Sequence, residues 1–306
     1  MRSPTRRDLD PLTLNAWLAP VLGASVRDAT ELAGGTFAAV WRVALADGRE
    51  VVVKAGPPPG VRMLRYERDL LRAEAGYYRL ARAVAPVPDV VHLADDWLAV
   101  TFLPGQPLTE LTGTDGVREQ LGATVKRIQE ITGPRFGYPG DRAHAADWPT
   151  AFAAMVDDLL ADARDWDVAL PDGIQAAVER HRNVLALVTR PALLHWDLWD
   201  GNVLARDGVL TGLVDGERYL FGDPLLDLVS PALFRRIEEE PDHPFLRGYR
   251  ATIGEAERTR LTLYRMHLYT LMLTERPSRG EAGGGDREAF LRELLNEELH
   301  QLGHSS

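Results

Sequence analysis

The chain has 306 residues, enough for one large or two medium domains, and its 45% apolar and 26% charged composition is that of a globular protein with a real core. It has no cysteine, which excludes disulfide scaffolds, thiolate zinc sites, iron–sulfur clusters and cysteine nucleophiles together. The net charge of −10 argues against wholesale binding to nucleic acid. With no uninterrupted apolar run long enough for a signal or a membrane span, a soluble cytoplasmic protein is expected.

Residues 12–24 have helical apolar spacing and end at a glycine. Three strand patterns follow, Asp28–Ala33, Ala39–Leu45 and Glu50–Ala55, with Asp47-Gly48 as the hairpin signal between the last two. Gly34-Gly35-Thr36 sits between the first two strands. After the PPPGVR break at 57–62, Met63 to Arg82 reads as a charged amphipathic helix. Val90–Leu93 and Trp97–Leu103 are two further short strands, and Pro104-Gly105-Gln106-Pro107 marks a boundary. Beyond it, helical patterns dominate: 116–131, 148–164, 172–188, 224–238, 255–275 and 286–301. Asn202–Ala205 and Gly208–Val214 form a short β pair among them. The order predicts a small β-rich part, residues 1–103, and a larger helical part, residues 104–306, with a cleft between.

Charge divides at the same place. Residues 1–105 hold 13 basic and 12 acidic side chains, whereas 106–306 hold 22 and 33. Only two of the 35 basic residues are lysines, Lys54 and Lys126, so a retained lysine asks whether arginine would fail there.

The densest chemical signal is LLHWDLWDGNVLARDGVLTGLVDGE, residues 193–217. Asp197 lies five residues before Asn202, and Asp215 ends an apolar strand thirteen residues later. Two carboxylates and a carboxamide on adjacent loops suit phosphoryl transfer: one carboxylate accepts a hydroxyl proton, while Asn and Asp oxygens hold magnesium against phosphates. Asp and Asn are also ordinary turn formers, and Asp207-Gly208 on its own is only a hairpin signal.

HWDLWDGN resembles the catalytic loop of the aminoglycoside phosphotransferase family, usually HGDLxxxN, LTGLVDGE resembles its metal-binding strand, and FGDPLLDL matches its G-D-P-x-x-D-L segment. The group includes choline and fructosamine kinases, the Trp199 in HWDLW being most like the fructosamine-kinase branch, and is distantly related to protein kinases. The resemblance implies an α+β, bilobal protein-kinase-like fold with a small β-rich N-lobe for nucleotide phosphates and a larger, mainly helical C-lobe for the acceptor. It implies that Asp197 is the catalytic base, that Asn202 and Asp215 are magnesium ligands, and that His195 braces the loop. Asp223 and Asp227 would fix the catalytic loop through its backbone. Lys54, after Val51-Val52-Val53, resembles the strand lysine that meets the α- and β-phosphates. Its partner on the next helix is expected to be Glu74, which fits the family pattern better than Glu67. Gly34, Gly35 and Thr36 would form the nucleotide-covering turn, although an ordinary β-turn explains them equally well. Val100 stands at the gatekeeper position, and Thr101 and Leu103 would offer backbone groups to the purine of ATP, with GTP left open. Two departures stand out. Trp196 replaces the family glycine, crowding the loop, and Gly216 replaces a common aromatic, which is expected to loosen the metal loop.

The resemblance implies that the acceptor is a small molecule with a hydroxyl. The acidic C-terminal part, including Asp157-Asp158, Glu217, Glu238-Glu239-Glu240 and Asp242, would steer a cationic acceptor, unless these are solvated helix faces. Trp196, Trp199 and Tyr219 are candidates for stacking on a sugar, and Glu217 and Asp157 for contacting it; Trp148 and Phe152 read as core. The leading expectation is an Mg-ATP-dependent phosphotransferase acting on a sugar or aminocyclitol hydroxyl, an antibiotic among them, as a monomer or homodimer. The alternatives are a ketosamine or other metabolic sugar kinase, and a nucleotide-binding pseudokinase. No A-P-E activation segment follows Asp215, which argues against a protein kinase.

Overall fold

The computed structural model describes residues 3–32, 37–281 and 283–304. It opens with helix α1 (Pro11–Leu22), whose N-cap Asp10 accepts from the Thr13 amide and whose C-cap Gly23 takes the left-handed conformation at φ 69°. Strands β1 (Val26–Glu31), β2 (Ala39–Leu45) and β3 (Glu50–Ala55) follow, then helix α2 (Leu70–Ala81) and strands β4 (Val90–Leu93) and β5 (Trp97–Thr101). They form one antiparallel sheet in the order β1-β2-β3-β5-β4. Alternation along β3 decides what each face does. Val51, Val53 and Ala55 pack with Leu14 and Leu18 of α1, leaving Val52 and Lys54 to the face covered by α2.

The helix expected over Met63–Arg82 begins late. Residues 65–67 make one 3₁₀ turn, and Asp69, at φ 55°, precedes α2. The reason is tertiary: the Arg65 amide donates to Asp162 at 2.8 Å, its guanidinium pairs with Asp162 and Asp165, and the Glu67 carboxylate is occupied by Arg279. These bonds hold the segment against the helical part of the chain.

That part contains β6 (Gln106–Pro107), α3 (Asp115–Ile128), β7 (Phe136–Gly137), β8 (His144–Ala145), α4 (Trp148–Asp165), α5 (Ile174–Arg180) and α6 (Arg182–Leu185). Then come β9 (Ala192–Leu194), β10 (Val203–Arg206), β11 (Val209–Leu213), β12 (Leu220–Gly222), α7 (Pro244–Tyr249), α8 (Glu255–Glu275) and α9 (Asp286–His304). β10 pairs with both β11 and β6, and a second small sheet runs β8-β7-β12-β9. Nearly every side chain of α8 from Arg260 to Thr274 is buried, so this helix is the axis of the core. Its interior charge is paired: Arg265 meets Glu238 and Glu298. Glu238 is therefore an internal partner and not part of an acceptor-facing acidic patch.

The helix expected over 224–238 is three 3₁₀ turns, Pro224–Leu228, Ser230–Ala232 and Ile237–Glu239. Pro231 removes an amide donor, Phe234 sits at φ 66°, and the Asp227 side chain is spent on a neighbouring loop. No described helix is long and apolar enough to cross a membrane.

Candidate phosphotransfer site

Lys54 is the centre of the site. Its ammonium lies 2.5 Å from Glu74 on α2 and also contacts the Asp215 carboxylate. Burial opposes its charge, but Asp215 and Glu74 outweigh that and hold the lysine protonated. Burial alone would raise Asp215; Lys54 holds it below the usual carboxylate range. Glu67 faces Arg279, so the choice between the two glutamates resolves geometrically in favour of Glu74. A fourth residue completes the cluster. The buried Tyr78 hydroxyl donates to Glu74 and accepts the Asp215 amide at 3.1 Å.

The catalytic-loop candidates stand beside it. β9 ends at Leu194, and residues 195–202 turn back into β10. Asp227 accepts the amides of His195 at 3.3 Å and Trp196 at 2.7 Å, and Ser230 accepts that of Leu198 at 2.8 Å. Burial pushes the His195 imidazole down to about 4, so it is neutral. Its Nε2 donates to the Val214 carbonyl at 2.9 Å and Nδ1 accepts from the Asp197 amide at 3.3 Å. One imidazole thus ties the loop of Asp197 to Val214, between the end of β11 and Asp215. Asn202 donates Nδ2 to the Asp197 carbonyl at 2.9 Å, which leaves its Oδ1 for another partner. Burial pushes Asp197 up to about 6 against the nearby Arg218 cation, with Asp215 adding to the rise.

Two carboxylates, a carboxamide and a lysine held by a glutamate are therefore gathered from strand β3, helix α2 and the loops at residues 195–202 and 214–215. The model of the phosphotransferase enzyme family (APH) matches residues 28–264. The chain belongs to this family. It is a small-molecule phosphotransferase on a protein-kinase-like fold. A "Probable ketoamine kinase" of Thermus thermophilus is 32% identical over 213 residues, covering 67% of this chain and 72% of the relative. One from Lactiplantibacillus plantarum is 23% identical, covering 82% and 89%. Among solved structures, a Thermobifida fusca protein named as a fructosamine-3-kinase superposes with a TM-score of 0.72 at 24% identity, over 95% of this chain and 98% of its own. A thermostable mutant aminoglycoside phosphotransferase in complex with AMP-PNP and hygromycin B gives 0.68 at 19%, over 96% and 100%.

The family's glycine position explains Trp196. Its φ is 70°, a left-handed conformation that glycine adopts freely and tryptophan does not. The indole is 1% exposed and stacks on His267 at 5.5 Å. Trp196 is thus a core residue, not a sugar platform, because its ring is spent on packing against His267. Gly216 is also filled: a Cβ there would overlap the Tyr77 ring, which itself packs edge-on against His195 at 5.0 Å. The expected loosening does not appear, since the aromatic that packs this loop comes from α2.

The other candidates divide. Asp223 touches no catalytic-loop backbone: it accepts from Tyr264 at 2.6 Å, Arg260 at 3.1 Å and its own turn's Leu225 amide, so it anchors α8. Asp157 is exposed on α4 and bonded to Gln175 on α5 at 3.1 Å, outside the cluster, because the α4 face that bears it looks to solvent. Glu217 does face the cluster; burial pushes it up to about 8, with Glu74 and Asp215 adding and Lys54 opposing. Trp199 is 40% exposed, its indole lying over Gly201. The Thr101 amide donates to Asp89 at 2.9 Å, so Thr101 could offer a base only its carbonyl, and the Leu103 side chain lies against Gly212. Gly34, Gly35 and Thr36 lie outside the described residues.

Sequence reasoning missed Tyr78, although its i,i+4 spacing from Glu74 puts both on one helix face. It also missed Arg218, which pairs with Glu275 at 2.7 Å above the Tyr66 ring; nothing local to residue 218 points to a partner 57 residues away.

Proposed function

We propose that this phosphotransferase moves the γ-phosphoryl group of ATP, bound with Mg2+, to a hydroxyl of a ketosamine, with residues 1–103 holding the nucleotide and 104–306 the acceptor. The observation that carries this reading is the Lys54 ammonium held between Glu74 and Asp215, beside a loop presenting Asp197 and Asn202. The names of the sequence relatives supply the acceptor class.

Asp197 accepts the hydroxyl proton as the acceptor oxygen bonds to the γ-phosphorus and the bond to the β-γ bridging oxygen breaks, releasing ADP. Its raised affinity for a proton suits that role. Lys54 meets the α- and β-phosphates as a compact charge, and Glu74 and Tyr78 fix its reach. The donor set fits a hard cation that arrives with its nucleotide. Asn202 Oδ1 and the Asp215 carboxylate are oxygen donors, and the described residues contain no cluster of three acidic, His or Cys side chains able to hold a metal alone. When bound, Mg2+ neutralises charge on the phosphate oxygens. We place the reaction in the cytoplasm, where ATP is abundant.

An ADP-release screen over ketosamines, amino-sugars, aminoglycosides and nucleoside and peptide antibiotics tests the reading. Turnover on ketosamines that Asp197→Ala abolishes supports it; turnover confined to aminoglycosides moves the protein to antibiotic resistance.

A further inference from the structure

Five cationic side chains are buried among the described residues: Lys54, Arg142, Arg260, Arg265 and Arg279. Four have carboxylate partners, in Glu74, Asp223, Glu238 and Glu67 respectively for Lys54, Arg260, Arg265 and Arg279. Arg142, only 5% exposed, has none at contact distance; the Asp69 and Glu217 carboxylates act on it only from farther away. Its Nε donates to the Pro139 carbonyl at 3.3 Å and its Nη1 to the Tyr66 carbonyl at 3.1 Å, and its guanidinium lies 4.9 Å from the Tyr138 ring centre. Nη2 has no partner among the described residues, yet it is not sealed from solvent. A desolvated guanidinium held in place without a contacting counter-ion is costly, and an arriving anion would recover part of that cost.

Topology puts this arginine at the site. In the sheet β8-β7-β12-β9, Leu220 pairs with Leu194 and Phe221 with Gly137, all antiparallel. The end of β9, the start of β12 and the end of β7 therefore share one sheet end. Three loops rise there: residues 195–202 with Asp197, residues 215–219 with Asp215 and Glu217, and the 138–143 loop with Arg142. Tyr138 stacks on Tyr66 at 6.4 Å, and the Arg218 guanidinium lies over the Tyr66 ring at 5.6 Å from its centre. Lys54 and the candidate metal ligands already serve the phosphates, so the anion Arg142 awaits belongs to the acceptor.

We infer that Arg142 reads a carboxylate on the acceptor, so that the preferred substrates are ketosamines of amino acids and not of neutral amines. This rests on the ketosamine reading above. It replaces the expectation of a purely cationic acceptor with that of a zwitterion, its amine in the acidic field of the C-terminal part and its carboxylate on Arg142.

The test compares ketosamines of one sugar with glycine and with glycinamide, which differ only in the carboxylate, by Mg-ATP-dependent ADP release. The wild-type enzyme is expected to favour the glycine adduct at least tenfold in kcat/KM, through KM. Arg142→Met is expected to bring that ratio toward one, and Arg142→Lys to keep part of it. Equal kcat/KM for the two adducts in the wild type, a comparison that needs no variant to fold, overturns the Arg142 assignment alone, as does an unchanged ratio in Arg142→Met. Turnover on neither adduct overturns the ketosamine reading and this inference with it.

Discussion

The Tyr78 hydroxyl accepts the backbone amide of Asp215 at 3.1 Å. Because the same hydroxyl donates to Glu74, one buried oxygen links the helix that orients Lys54 to the candidate metal ligand. Asp215 sits at φ 60°, a left-handed conformation unusual for a non-glycine residue, and its amide bond to Tyr78 helps hold it there. Tyr78→Phe removes both bonds and leaves the half-buried Asp215 amide and the buried Glu74 carboxylate under-satisfied, at a cost of about 1–3 kcal/mol for the carboxylate. The expected result is a lower Tm, a several-fold higher KM for Mg-ATP and a weaker response to Mg2+. A fall in kcat with KM for Mg-ATP unchanged would contradict this positioning role.

Asp197 and Asp215 should separate in mutants. Asp197→Ala is expected to cut turnover by about 10²–10⁴, the range for losing a positioned base, with nucleotide affinity retained. Asp215→Ala should weaken binding of the metal–nucleotide complex. Calorimetric titration with Mg-ADP distinguishes them: tight binding to the Asp215 variant would exclude that residue as a ligand.

The pH profile follows from the Asp197 environment. Its value near 6 means that the carboxylate loses its negative charge, and with it the ability to take a proton, as pH falls through that point. The acid limb of kcat/KM, which reports the free enzyme, should therefore lie near pH 6 with unit slope, and removing the nearby cation by Arg218→Met should move it upward. A limb well above pH 6 in the wild type would exclude Asp197 as the titrating base.

Trp196 offers a stability test. Although alanine would not relax the left-handed backbone, the buried indole packed on His267 is worth far more than the twist costs. Trp196→Ala is expected to destabilise the protein by about 3–5 kcal/mol, read from denaturant midpoints. A loss below about 1 kcal/mol would mean that the ring is not part of the core.

Much of the site was legible in the sequence because its chemistry is local. Asp197, Asn202 and Asp215 fall within one block of residues joined by a short hairpin, so spacing alone brings them together. Lys54 stood out because it ends an apolar strand in a chain almost without lysine, and strand alternation dictates which face it takes. The elements read correctly, such as α1, β2, β3, α4 and α8, carry their own periodicity and caps. The segments 63–69 and 224–238 do not. Both look helical by composition, but Arg65 and Asp227 spend their polar groups on distant partners, and long-range bonds override a weak local propensity.

The sequence by itself thus determined the family, the candidate residues of the site and the order of the main elements, since these rest on short-range pattern and on side-chain chemistry. Only the tertiary structure decided which groups share an environment. It turned Trp196 inward, filled the space over Gly216 with Tyr77, chose Glu74 over Glu67, and left Arg142 buried without a contacting carboxylate. Burial and pairing are properties of neighbours brought together across tens to hundreds of residues, and no local pattern encodes them.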